Sequence, residues 1–211
     1  MATEASREPM FPLLCISRLR MGTDGTGVTT LVAGAGCPLR CRWCINRKLL
    51  SEAPAENVSA GELLERVKID DLYFRTTDGG VTFGGGESLL HADFIAGFRK
   101  ICPPEWNIYA ETSLSVPVGS VEIASGCVSF FIVDCKDMDA GIYSAYTGGD
   151  AERMKANLRF LVKTVGPERI LVRVPLIPEY NTRADRERSL SELKAMGIEK
   201  TDLFDYIIRE E

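Results

Sequence analysis

Short apolar, β-branched runs alternate with amphipathic stretches along nearly the whole chain, and this alternation restricts the fold more than any other feature. Val28 to Ala33, Val81 to Phe83, Ile108 to Glu111, Phe130 to Asp134, Ile170 to Leu176 and Leu203 to Ile208 read as strands. Between them lie helical patterns. Ser59-Ala-Gly-Glu62 is a capping box and predicts a helix from there to about Tyr73. Phe94, Ile95, Phe98, Ile101 and Cys102 trace one helical face, and Pro117 to Ser125 predicts a short helix. Met154, Leu158, Leu161 and Val165 form a stripe that stops at Gly166, and Ala184 to Met196 reads as a last helix. Strands alternating with helices imply a parallel sheet with right-handed crossovers. Six strands are two short of a closed eight-stranded barrel, so the expectation is an α/β partial, open TIM-type barrel, about (β/α)6, with outer helices. Residues 1–20 are expected to be a lead-in, poorly ordered or an edge strand, and 21–211 a single domain. At 211 residues and 45% hydrophobic composition, one well-buried core is within reach.

The chemically unusual residues fall at the carboxyl ends of these strands, the face on which barrel proteins build their sites. Cys37, Cys41 and Cys44 follow the first strand, Gly84-Gly85-Gly86-Glu87 the second, Glu111-Thr112 the third and Asp134-Cys-Lys136 the fourth. A closed zinc site normally takes four protein ligands, and the only histidine, His91, is remote in sequence. Thiolates also suit iron–sulfur clusters, where three of them leave one iron free. At this level both a cluster and a zinc module stay open. Cys15, Cys102, Cys127 and Cys135 read as small buried hydrophobes. The glycine run lets a small ligand approach main-chain amides and carbonyls closely, beside the Glu87 carboxylate.

The spacing Cys-x3-Cys-x2-Cys with Trp43 before the last cysteine, followed by Gly-Gly-Glu after a strand, resembles the radical S-adenosylmethionine (SAM) superfamily. Asp24 to Thr30, Gly80 to Leu90, Asp134 to Met138, Thr147-Gly148 and Val172 to Pro178, in this order, are similar to the activating enzymes of glycyl radical enzymes, of the pyruvate formate-lyase activating type. The resemblance runs from about residue 18 to 208. It implies that Cys37, Cys41 and Cys44 ligate a [4Fe-4S] cluster whose free iron is chelated by SAM. It further implies that Trp43 and Ile45 flank the adenine, and that Gly85, Gly86 and Glu87 meet the methionine amino group. Asp134 and Lys136 are implied near the SAM carboxylate, with Asp134 helping to hold a monovalent cation, and Glu111 and Thr112 match the part of that cation site that ends the third strand. Lys136 and Arg173 are the implied catalytic residues, Arg173 pointing inward toward SAM or the incoming peptide; a structural ion pair is the competing reading. The implied activity is reductive cleavage of SAM to a 5′-deoxyadenosyl radical that takes a hydrogen from a glycine of a partner glycyl radical enzyme. A flavodoxin or ferredoxin-type reductant and an anaerobic setting accompany it.

The chain also departs from that group. Glu111-Thr112 stands where the group has Asp-Thr, Ile45 and Ile207 stand where histidines are found, and no ferredoxin-like insertion follows the cysteine loop. The chain stops at Glu211, so one SAM contact and part of the barrel wall are expected to be missing. Two rival readings are a radical SAM enzyme for another peptide or small molecule, and a non-enzymatic iron–sulfur or zinc module. The net charge of −5 argues against general nucleic-acid binding. No apolar run approaches the ~18 residues of a membrane span, and with no secretion signal evident the cytoplasm is expected.

Overall fold

The structure, a computed structural model, describes residues 8–207. Its one sheet has eight strands: β1 (Phe11–Met21), β2 (Val28–Gly34), β3 (Glu56–Val58), β4 (Gly80–Gly85), β5 (Asn107–Thr112), β6 (Phe130–Asp134), β7 (Ile170–Leu176) and β8 (Thr201–Asp205). They lie in the order β3-β1-β2-β4-β5-β6-β7-β8, and the sheet does not close. The six strands from β2 to β8 other than β3 pair in parallel, as the alternation predicts. β1 pairs antiparallel with both β2 and β3. Eight helices connect or flank the strands: α1 (Arg47–Glu52), α2 (Ala60–Val67), α3 (Asp71–Thr77), α4 (Ala92–Ile101), α5 (Val118–Ser125), α6 (Ala140–Thr147), α7 (Ala151–Val165) and α8 (Arg183–Ala195). α2 packs on α4, α4 on α5 and α5 on α7, each burying its apolar stripe.

Three expectations change. The lead-in is a full inner strand: Phe11 is buried against Phe83, Phe94 and His91, while Pro12, which has no N–H to offer a ladder, accepts from Ala35 N through its carbonyl at 2.9 Å. Two register shifts, between Leu13 and Cys15 and between Ser17 and Arg20, break the two-residue alternation that would have revealed it. The single helix from Ser59 to Tyr73 is instead α2, a 3-10 turn at Lys68–Asp70, and α3. Neighbouring acids are claimed by different partners there, Asp70 by Arg18 (2.5 Å) and Thr30 (2.7 Å), Asp71 by the Trp106 indole (2.7 Å). A straight helix cannot serve both. The last strand ends at Asp205, leaving Ile207 84% exposed beyond it; Ile208, part of the expected strand, lies outside the described residues.

Candidate functional site

The cysteine loop leaves β2 at Gly34 and is held from three sides. Gly86 N donates to Gly34 O (3.0 Å) and Glu87 N to Gly36 O (2.8 Å), which fastens it to the loop after β4. Asn46 Nδ2 donates to Gly85 O (2.8 Å). Arg40 N and Arg42 N donate to Thr147 O (2.8 Å) and Tyr146 O (3.0 Å), which ties the backbone on either side of Cys41 to the last turn of α6. Gly85 takes φ +87°, and a Cβ on Gly86 would meet Gly36 O at 2.1 Å. Only glycine permits this closeness of loop to loop.

Cys37 is exposed while Cys41 and Cys44 are half-buried, so the three thiols face a loop surface that a cofactor can reach. Burial pushes the Cys37 thiol up and the Cys41 thiol up to about 11, each raised further by charge on neighbouring cysteines of the trio. Among the described residues no three His, Cys, Asp or Glu side chains converge as a mononuclear metal site demands. A cubane cluster takes each thiolate on a different iron and makes no such demand, so the all-sulfur donor set fits an iron–sulfur cluster better than zinc. Trp43 Nε1 is buried without a partner, a donor left over beside the last cysteine. Ile45 is 89% exposed. His91 packs edge-to-face on Phe11 and its Nε2 contacts Ala35 O at 3.0 Å, which accounts for it structurally.

Glu87 turns inward. It is 2% exposed and accepts from Thr112 Oγ1 (2.6 Å), Ser113 N (2.8 Å), Ser113 Oγ (2.5 Å) and Leu89 N (3.2 Å). Four donors fill the lone-pair sites of a carboxylate. Burial pushes its pKa up, and these donors oppose that. Glu87 and Thr112 therefore join the ends of β4 and β5 and set the shape of the glycine loop. Ser113 and Asn46, which complete this framework, carried no motif that would single them out.

The parallel register sets Asp134 beside Arg173, and Arg173 beside Asp202. Arg173 Nη1 donates to Glu111 Oε1 at 2.7 Å and lies 3.9 Å from Asp134, while Nη2 donates to the Thr23 carbonyl. The turn around Asp24 crosses the barrel interior from the amino-terminal end: Thr82 Oγ1 donates to Asp24 O (2.6 Å), Tyr109 to Thr26 O (3.3 Å), and Arg20 pairs with the Asp24 carboxylate. Burial raises the Glu111 carboxyl while Arg173 opposes the rise; burial likewise works against the Arg173 charge, but Glu111 and Asp134 outweigh it and hold that guanidinium above its usual value. Arg173 thus lies in an internal ion pair over this turn. Lys136, 8% exposed, lies 3.1 Å from Asp134 Oδ2 and donates to Tyr206 Oη at 3.3 Å. Burial disfavours its charge, yet Asp134 and its other neighbours keep it well above the ordinary lysine value. A fixed cation and a half-exposed carboxylate at the end of β6 suit a zwitterionic ligand, whose carboxylate and ammonium need opposite partners.

An open sheet with a three-cysteine loop, a glycine cradle and a buried lysine on one rim defines a class, and the chain belongs to the radical SAM superfamily, whose family model matches residues 31–193. Within that superfamily it is 28% identical to the pyruvate formate-lyase-activating enzyme of Clostridium pasteurianum over 87% of this chain and 77% of that one. It is 27% identical to the pyruvate formate-lyase 2-activating enzyme of Escherichia coli K12, over 96% and 80% of the two chains. Its fold is similar to that of SuiB from Streptococcus suis, a structure bound to S-adenosylmethionine, with a TM-score of 0.64 at 13% identity, covering 82% of this chain and 39% of that one.

Proposed function

We propose that this chain is a glycyl radical enzyme activating enzyme. The observation that carries the reading is the joining of the cysteine loop to the glycine loop by Gly86 N to Gly34 O and Glu87 N to Gly36 O, with Lys136 at the same strand ends. A [4Fe-4S] cluster and SAM, when bound, supply reductive cleavage to methionine and a 5′-deoxyadenosyl radical able to take hydrogen from a glycine Cα of the partner enzyme. The protein's own residues bind and orient. Cys37, Cys41 and Cys44 hold the cluster, the Gly85–Gly86 backbone receives the methionine amino group, and Lys136 with Asp134 receives the SAM carboxylate. Trp43 offers its free indole N–H and ring to the adenosyl group, with Ile45 beside it. Glu87 and Thr112 keep the glycine loop in shape, and Arg173 holds Glu111 in place over the Asp24 turn. Residues 21–211 act as one catalytic domain. A flavodoxin or ferredoxin-type protein in an anaerobic cytoplasm is the reading's reductant.

The monovalent cation expected near Asp134 meets carboxylates that already have partners: Lys136 for Asp134, Arg173 for Glu111. In this reading those side chains neutralise the site themselves. Exchange of potassium for tetramethylammonium is expected to leave SAM binding within about twofold; a larger drop reinstates the cation. The function is tested by incubating the reduced, reconstituted protein with SAM. Deoxyadenosine should form, and should vanish when any one of Cys37, Cys41 and Cys44 is changed to Ala. With a candidate glycyl radical enzyme added, a glycyl doublet in electron paramagnetic resonance supports activation, whereas deoxyadenosine without a doublet favours a different radical SAM substrate.

A further inference from the structure

Tyr206 has no part in the account so far beyond its contact with Lys136. It follows the last residue of β8, and its backbone N–H donates to Leu176 O at 2.9 Å, so the pairing of β7 with β8 carries on to it. The residue is half-buried, its ring tilted against Phe204 (5.5 Å) and edge-on to Tyr146 of α6 (6.1 Å). From this fixed place its hydroxyl accepts from Lys136 Nζ at 3.3 Å, and its ring centroid stands 5.9 Å from the same ammonium, within the reach of a cation–π contact. An ammonium has three N–H donors and no acceptor. Asp134 Oδ2 engages it from 3.1 Å and Tyr206 Oη takes another N–H, which leaves a donor for a ligand. The two partners differ in kind. Asp134 offsets the charge, whereas a neutral hydroxyl fixes the ammonium without offsetting it. Lysine carries its charge on a flexible four-carbon stem, so with Asp134 as its one partner it follows that half-exposed carboxylate. Ile207, next in sequence, is 84% exposed and has no polar side-chain atom to offer.

Resting on the function proposed above, we infer that Tyr206 is a positioning residue whose hydroxyl holds the Lys136 ammonium where the SAM carboxylate is received. Without that hydroxyl the lysine closes on Asp134, and the incoming carboxylate meets a neutralised pair. The test measures SAM binding by anaerobic calorimetry on the reconstituted full chain. Tyr206→Phe keeps the ring and removes only the hydroxyl; it should bind SAM about three- to tenfold more weakly than the parent. In a Lys136→Met background the same substitution should cause no further loss, because its effect passes through the lysine. Ile207→Ala should bind SAM as the parent does. In the cluster-free protein Tyr206→Phe should melt within about 5 °C of the parent. Unchanged SAM binding by Tyr206→Phe would overturn the inference, as would the same fold loss with and without Lys136. So would an equal loss in Ile207→Ala or a larger drop in melting temperature, either of which would assign the hydroxyl to holding the edge strand rather than the lysine. A reconstituted parent that binds no SAM would overturn the proposed function and this inference with it.

Discussion

Gly86 and Arg173 show what single residues must do for this site to exist. A methyl group at residue 86 would overlap Gly36 O, so Gly86→Ala must separate two loops whose backbones are hydrogen-bonded; we expect a loss of about 2–4 kcal/mol in chemical denaturation and no calorimetric SAM binding by the reconstituted protein. Arg173→Met strands the Glu111 carboxylate beside the Asp24 turn and should cost about 3–5 kcal/mol, most of it restored by adding Glu111→Gln, because removing one partner of a buried pair is worse than removing both charges. Additive losses in the double variant would show that the pair is not the source. At this scale the sequence was legible wherever a residue type is chemically rare. Three closely spaced cysteines and a glycine run ending in Glu87 have few uses. The burial of Glu87 was not legible, because three of its four donors come from Thr112 and Ser113 at the end of another strand, and nothing in a linear chain records that they will face it.

Among the elements, the six parallel strands could be read because strands covered on both faces are short, apolar and punctuated by glycine or charge. β1 could not, since its two register shifts leave no steady alternation and Pro12 suggests a break. α6 was missed although Asp139 caps its start, its side chain accepting from Ile142 N at 2.9 Å, and Gly148 ends it at φ +69°. Its eight residues bury only Tyr143, Tyr146 and Thr147, hydroxyl-bearing side chains that do not stand out as an apolar stripe. α3 offers a test at this scale. Arg75, and after it Trp106, hold the Asp71 carboxyl below the usual aspartate range. A depressed folded-state pKa adds stability that is fully present above the unfolded value of about 4 and lost as pH falls through the lower folded value. Asp71→Asn should therefore flatten the stability loss between about pH 4 and pH 2, with Trp106 fluorescence, red-shifting on exposure, as the reporter.

Across the whole molecule, the sheet's openness has a physical cost at each end. β8 is an edge strand whose Leu203 is exposed, with Ile207 just beyond it. Unpaired edges with apolar side chains invite strand addition. Leu203→Lys is expected to lower concentration-dependent self-association in light scattering while leaving the melting temperature within a few degrees; unchanged association would place the sticky surface elsewhere. That the barrel is incomplete followed from counting its six parallel strands, to which the structure adds the antiparallel β1 and β3, whereas the turn around Asp24 that fills its interior did not follow, because its contacts with Thr82, Tyr109 and Arg173 join four separate segments. The fastening of Arg40 and Arg42 to α6 bears on how the protein is made. A ribosome releases the three cysteines long before Tyr146 and Thr147, so the emerging chain holds its thiols on an untethered segment. Cluster delivery must then wait until most of the polypeptide has been synthesised and folded, which makes maturation a late event in the life of the protein rather than a nucleus around which it assembles.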